Sequence, residues 1–171
     1  PIKLVIWVAV SFLYVLMFTP AILHATAIRS ALPAGRLFEI FGLVVMAAGL
    51  GLEMLADKQK SDYKLAHPQD FCAVGLYGWV RFPNYLGEIL VWLGSWLAAL
   101  GFYSLWWHWV ATLTGLVIIV LVMIGSAKRL EKDQTDRYGQ RPAYQAYIGQ
   151  VPVLFPWVAL YTLQNVKIAL E

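Results

Sequence analysis

The sequence predicts an all-α integral membrane protein, with about four transmembrane helices, a cytosolic C-terminal helical region and an interfacial tail helix. Three observations carry that expectation. Of the 171 residues, 60% are hydrophobic and 13% charged, against ~45–50% and ~25% in soluble domains. Four apolar stretches each approach the ~20 residues that cross a bilayer. Eight Trp and nine Tyr suit side chains that anchor at a membrane–water interface.

Each element follows in order. The first span covers 4–23; with only Lys3 before it and no small-residue cleavage site, it reads as a membrane helix rather than a signal peptide. A polar link over 27–36 holds Pro33 and Gly35 as breakers. The second span, 37–56, carries Glu39 and Glu53 near its two ends. The third and fourth spans, 85–102 and 105–125, are separated only by Tyr103 and Ser104, which requires a tight antiparallel hairpin. The polar stretch from Lys128 to Tyr147 reads as a cytosolic helix, a break at Tyr138 and Gly139, and a second short helix. The apolar residues 151–155 are expected to re-enter the interface. The tail over 157–170 pairs Trp157 and Tyr161 with Lys167, the pattern of a helix lying on a membrane. The region 128–156 and this tail complete a single membrane domain.

Charge placement gives the topology. Lys58, Lys60, Lys64 and Arg81 lie between spans two and three, Lys128, Arg129, Lys132, Arg137 and Arg141 follow span four, and the hairpin has no basic residue. The positive-inside rule then puts loop 57–84 and everything past 127 on the cytoplasmic side, as in a multi-pass protein of a bacterial inner membrane. Arg29 and Arg36 fall on the outer side, a mild departure. The two basic regions face each other across one membrane surface, which could hold an anionic cofactor or touch anionic lipid head groups.

Several classes are excluded. Cys72 is the only cysteine, so no intramolecular disulfide and no cysteine metal cluster is expected, and it reads as a small buried apolar residue. His24, His67 and His108 are scattered, which gives no metal site. There is no Gly-x-Gly-x-x-Gly or Walker loop and no clustered basic and aromatic surface for nucleic acid.

Three constellations could carry chemistry. Asp57, Lys60 and Lys64 share one helical face, where a carboxylate can bind a ribose hydroxyl and lysines a phosphate; an ordinary solvated helix end has the same pattern. The stretch Gly75-Leu-Tyr-Gly-Trp-Val-Arg-Phe-Pro-Asn-Tyr-Leu-Gly-Glu88 puts Arg81, Asn84, Tyr85 and Glu88 at the mouth of an apolar span, where charge needs a partner or a purpose. Pro83 rigidifies this opening. Asn84, Gly87 and Glu88 then share a face on which a flat ring could approach the backbone, and Arg81 offers a planar fork for phosphate. Helix capping by Asn84 with Glu88 paired to Arg81 is the structural alternative. In the third, Arg129 and Asp133 form an i, i+4 pair with Glu131 between them. Tyr144 and Tyr147, one turn apart, could stack on a nucleotide or sit at the interface.

Taken in order, Asp57-Lys-Gln, Gly75-Leu-Tyr, Arg81-x-Pro-Asn-Tyr-Leu-Gly-Glu88, Glu131, Tyr138-Gly, Tyr144-x-x-Tyr147, Pro152 and Pro156 resemble the steroid 5-alpha-reductase family, and within it bacterial members of undefined substrate. The resemblance covers about 38–156. It implies a membrane reductase that uses NADPH to deliver hydride to an activated double bond of a lipid such as a steroid or enone, with membrane lipids around it. Carried onto matching positions, it implies cofactor contacts from Asp57, Gln59, Lys60, Arg81, Asn84, Tyr85, Glu88, Arg129, Glu131, Asp133, Tyr144 and Tyr147. Asn84 and Glu88 would lie near the nicotinamide, and Tyr85 and Glu88 are the candidate catalytic residues. Relatives usually carry histidine where Phe82 stands, and have further helices upstream, which are expected to precede Pro1 here. An S-adenosylmethionine-dependent methyltransferase of the isoprenylcysteine carboxyl methyltransferase type shares the Arg-x-Pro-x-Tyr and Tyr-x-x-Tyr patterns and is the alternative reading. A non-catalytic membrane protein retaining the fold is the third.

Overall fold

Helices make up the regular structure of the computed structural model, which describes residues 2–26 and 33–166. The helices are α1 (Ile2–Thr26), α2 (Pro33–Ala66), α3 (Pro83–Ala98), α4 (Trp106–Tyr138) and α5 (Pro142–Gln150), with short 3-10 turns at Gly75–Gly78 and Leu100–Phe102. Four of them are long and apolar enough to cross a membrane. Most of the polar link expected at 27–36, including Arg29, and the end of the tail, including Lys167, lie outside the described residues.

The helices outrun the expected spans for local reasons. Lys58 and Asp62, paired at 2.8 Å one turn apart, and the helix formers around them carry α2 on to Ala66, where Pro68 two residues on blocks continuation. The fourth apolar stretch and the polar residues after it form one 33-residue helix, because the run Ala127-Lys-Arg-Leu-Glu-Lys has no breaker before Gly139. The expected break and second short helix are present: Pro142 opens α5 with its fixed φ.

The chain forms two compact units. The first comprises Pro1–Gly49 and Ile89–Val120. Its helices meet at small residues, the packing mode open to helices in lipid. A Cβ built on Gly42 would lie 2.5 Å from the Gly94 carbonyl oxygen, and one on Gly94 would lie 2.6 Å from that of Gly42, so α2 and α3 cross backbone to backbone. Pro20 removes the N–H that would bond the Leu16 carbonyl, and α4 brings Gly115 against that carbonyl. The Trp96 indole N–H donates to Thr112 Oγ1 (3.2 Å) and the Tyr103 hydroxyl donates to the Trp96 carbonyl (3.0 Å), joining α3 to α4. Leu4, Trp7, Val8 and Phe12 on α1 are exposed, as a lipid-facing helix requires.

The second unit comprises Leu50–Glu88 and Leu121–Glu171. The residues before α3 pair with the residues after α5: Arg81 N–H donates to the Pro152 carbonyl (3.0 Å) and Phe82 N–H to that of Val153 (3.1 Å). Val80, Phe82, Val153 and Leu154 are buried, so the apolar residues expected to re-enter the interface pack inside the protein. At the centre Arg81 Nη2 donates to Glu131 Oε1 (2.8 Å) and to the Tyr161 carbonyl (2.6 Å), with both side chains almost wholly buried. The other carboxylate oxygen accepts from Leu163 N–H (2.8 Å) and from the Gln164 side-chain amide (3.3 Å).

The tail corrects an expectation. Residues 157–166 are turns and irregular chain, not the interfacial helix expected over 157–170. The Tyr161 carbonyl and Leu163 N–H are taken up by Arg81 and Glu131, and Lys128 Nζ donates to the Val166 carbonyl (2.9 Å). Backbone groups committed to these side chains are lost to an i, i+4 ladder.

Two sets of substitutions test this packing by melting in detergent. Gly94→Ala is expected to destabilise by ~1–3 kcal/mol through overpacking, whereas Gly51→Ala, with open space around its Cβ, should stabilise by up to ~1 kcal/mol. Glu131→Ala strands a buried guanidinium and should cost ~3–5 kcal/mol; Lys132→Ala, which breaks an exposed pair with Asp136, should leave the melting temperature unmoved.

Candidate functional site

All twelve residues singled out from the sequence fall in the second unit, seven of them at two places. One is the opening of α3. Pro83 is its first residue, an N1 position where the missing N–H costs nothing. Asn84, Tyr85 and Glu88 on the first turns are half-buried, and Gly87 is buried. Among the described residues these three polar side chains have no hydrogen-bond partner. The Tyr85 ring stacks on Phe82 at 5.9 Å, and Phe82 is buried, so the phenyl in the usual histidine position serves as packing. Glu88, Asp57 and Arg129 all lie near enough to Tyr85 for their charges to act on its hydroxyl, and Glu53 on α2 feels Glu88 and Asp57.

The other place is a cavity of about 200 Å³ bounded by the C-terminal turns of α2 and α4 and by the loop between α2 and α3. Lys60 and Lys64 reach it from α2, Asp133 and Arg137 from α4, and Tyr77 from the 3-10 turn. Three cations thus face one carboxylate. Lys64 Nζ donates to Tyr138 Oη (3.0 Å) and to the Asp70 carbonyl. The Tyr77 hydroxyl is buried and has no hydrogen-bond partner. Burial and the nearby Asp57 push the Tyr77 phenol well above its ordinary value, and burial raises the Cys72 thiol too. Both stay neutral, so the phenol keeps its proton to donate.

The loop is held by aromatic and amide contacts. Gly75 has φ +59°, a left-handed conformation, and a Cβ there would meet Gln59 Oε1 at 2.5 Å. That oxygen accepts from Leu76 N–H at 3.0 Å, so Gln59 pins the turn that presents Tyr77. The Phe71 ring packs on Tyr138, Tyr144 and Tyr147 at 5.8, 5.1 and 5.4 Å. Tyr147 donates to the Tyr77 carbonyl at 2.8 Å, and Tyr144 lies 3.4 Å from Thr135 Oγ1. Burial pushes both hydroxyls up from their ordinary value, so they too remain neutral donors.

The structure therefore sorts the sequence-derived residues. Lys60 and Asp133 line the cavity. Asn84, Tyr85, Glu88, Asp57 and Arg129 gather at the opening of α3. Gln59, Tyr144 and Tyr147 hold the loop that carries Tyr77, while Arg81 and Glu131 are tied to each other and to the tail, and Glu131 is the partner of Arg81 in place of Glu88. No ion pair joins Arg129 to Asp133 among the described residues; the i, i+4 pair of that helix is Lys132 with Asp136. The sequence reading left Tyr77, Arg137 and Tyr138 out. Asp133 and Arg137 are four apart on α4 as Lys60 and Lys64 are on α2, and that shared spacing is the signal that points to both walls at once.

Comparison with known proteins assigns no activity. No solved structure matches the chain. An uncharacterized protein of Schizosaccharomyces pombe is 34% identical over 126 residues, covering 61% of this chain and 35% of the relative; the chain thus spans about a third of the length of that relative. A family model described as "Protein of unknown function (DUF1295)" matches residues 2–151, from α1 to the end of α5. The chain belongs to the DUF1295 family.

Proposed function

We propose that the second unit holds NADPH for a membrane reductase that delivers hydride to an activated carbon–carbon double bond of a lipid such as a steroid or enone. The observation that carries this reading is the cavity with Lys60, Lys64 and Arg137 and a buried, unpartnered phenol donor at Tyr77. Excess positive charge with a neutral donor beside it suits a phosphate ester. At about 200 Å³ the cavity is smaller than the ~300–1,000 Å³ of a whole small-molecule site, so it takes the phosphate-bearing end only. Asn84, Tyr85 and Glu88 are free to serve the other end, where Asn84 can match a carboxamide. Bound NADPH would supply the hydride; a proton from this chain would complete the saturated product, with Tyr85 and Glu88 as the candidates to hold it. The resemblance of the Asn84-Tyr-Leu-Gly-Glu88 block to steroid 5-alpha-reductases supports the reading, as does the relation of the DUF1295 family to that group.

The charge balance also separates the alternatives. S-adenosylmethionine carries a sulfonium cation, which three basic side chains would repel. A non-catalytic role gives no reason to leave Tyr77 Oη buried without a partner, a cost of ~1–3 kcal/mol.

Binding of NADPH, NADH and S-adenosylmethionine to the full chain in detergent tests this. NADPH at a hundredfold excess over its Kd should stabilise by ~2.7 kcal/mol. Lys64→Ala should weaken NADPH by ~10- to 100-fold, the loss of one charged hydrogen bond, with less effect on NADH, and Tyr77→Phe by several-fold. Stabilisation by S-adenosylmethionine alone would overturn the reductase in favour of the methyltransferase.

A further inference from the structure

The residues after Val151 lie beyond the family match, yet they bond to the centre of the second unit. Tyr161 gives its carbonyl to Arg81 Nη2 (2.6 Å). Leu163 N–H donates to Glu131 Oε2 (2.8 Å), and Gln164 Nε2 bridges Glu131 Oε2 (3.3 Å) and the Lys128 carbonyl (3.0 Å). Leu163 itself is 2% exposed. Glu131 thus divides its carboxylate, with one oxygen on the arginine before α3 and the other on the tail.

From this division we infer that residues 161–164 act as a strap that positions the opening of α3, with Glu131 as the positioning residue that couples the two. Arg81 stands three residues before Asn84, and its backbone is held by Pro152 and its side chain by the strap and Glu131. Undocking the strap strips Arg81 of one acceptor and leaves Glu131 Oε2 without its donors. The buried arginine already has Nε and Nη1 without a partner, so a further loss at Nη2 and at Glu131 Oε2 adds to a pair that is under-satisfied and shifts the segment carrying Asn84, Tyr85 and Glu88. The strap needs no contact with a ligand to affect its binding. This rests on the cofactor reading above, in which those three residues face the cofactor.

The coupling is testable because it is reciprocal: if a docked strap favours NADPH, then NADPH favours a docked strap by the same factor. The full chain in detergent is titrated with NADPH as wild type, Gln164→Ala, which removes only the side-chain bridge, and Leu163→Pro, which removes the N–H donor to Glu131. Chymotryptic cleavage at exposed Tyr161 is timed with and without saturating NADPH. The expected result is affinity about tenfold weaker in the variants, within the usual range of such coupling, and wild-type cleavage slowed about tenfold by NADPH. Unchanged affinity in Gln164→Ala, together with cleavage indifferent to NADPH in a wild type that binds it, would overturn the strap and leave the cofactor reading standing. A wild type that does not bind NADPH would instead remove the cofactor reading, and this inference with it.

Discussion

The second unit depends on one constraint, the burial of Arg81 with Glu131. Taking both charges from water costs several kcal/mol per ion, and their attraction repays that only when further hydrogen bonds satisfy the carboxylate. The carboxylate has them: an arginine on one oxygen, a backbone N–H and an amide on the other. The carboxylate and its partners come from three separate stretches of chain, so the full network cannot be made until all three are in place. The irregular tail and the fixed approach to α3 are consequences of one buried pair. Arg81 Nη2 is committed to this network, while its Nε and Nη1 are buried without a hydrogen-bond partner.

In the proposed reading, the phosphate end of the cofactor falls to the cations of the cavity, Lys60, Lys64 and Arg137. The cavity lies at the C-terminal turns of α2 and α4, the ends whose unsatisfied carbonyls carry partial negative charge. Lysine and arginine are favoured there in their own right, which accounts for Lys64 on the last turn of α2 and for Arg137 on the last turn of α4. An anion receives no help from helix N-termini at such a place and must be held by side chains alone. Three cations and a phenol are what the site supplies. Arg141, also basic and near, is held on the outside by Asp70 (3.2 Å) and the Gln69 carbonyl (3.2 Å), and its charge stacks over the Tyr138 ring (5.1 Å).

Helix number and order were legible in the sequence because apolar length is a strong signal, and so was the meeting of the two basic segments, which Lys64 and Tyr138 realise by a direct hydrogen bond. The tail was not legible. Its alternation of Trp157, Tyr161 and Lys167 has the period of an amphipathic helix, but periodicity carries no record of a carboxylate on another helix that claims the tail's N–H groups. The pairing of Arg81 was missed for the same reason. Glu88 is seven residues away in sequence and Glu131 is fifty, and only the fold decides between them. The cavity walls stood halfway: Lys60 and Lys64 showed a shared face, whereas Tyr77 is presented by a 3-10 turn whose position depends on Gln59 and on the left-handed Gly75.

The aromatic wall sets the electrostatics of the cavity as well as its shape. Phe71 packs against three tyrosines and helps to bury the loop that carries Cys72 and Tyr77. Burial raises both the thiol and the phenol from their ordinary values, which are already above neutrality. A group whose protonated form is favoured in this way gains no negative charge as pH rises through 7 to 8. The excess of cations over Asp133 is therefore not offset by the loop across that range, and a hydroxyl that keeps its proton remains a donor. The wall that buries Cys72 and Tyr77 thus keeps the cavity electropositive, while at Tyr138 the hydrogen bonds of Lys64 and Arg137 outweigh burial and lower the phenol from its ordinary value.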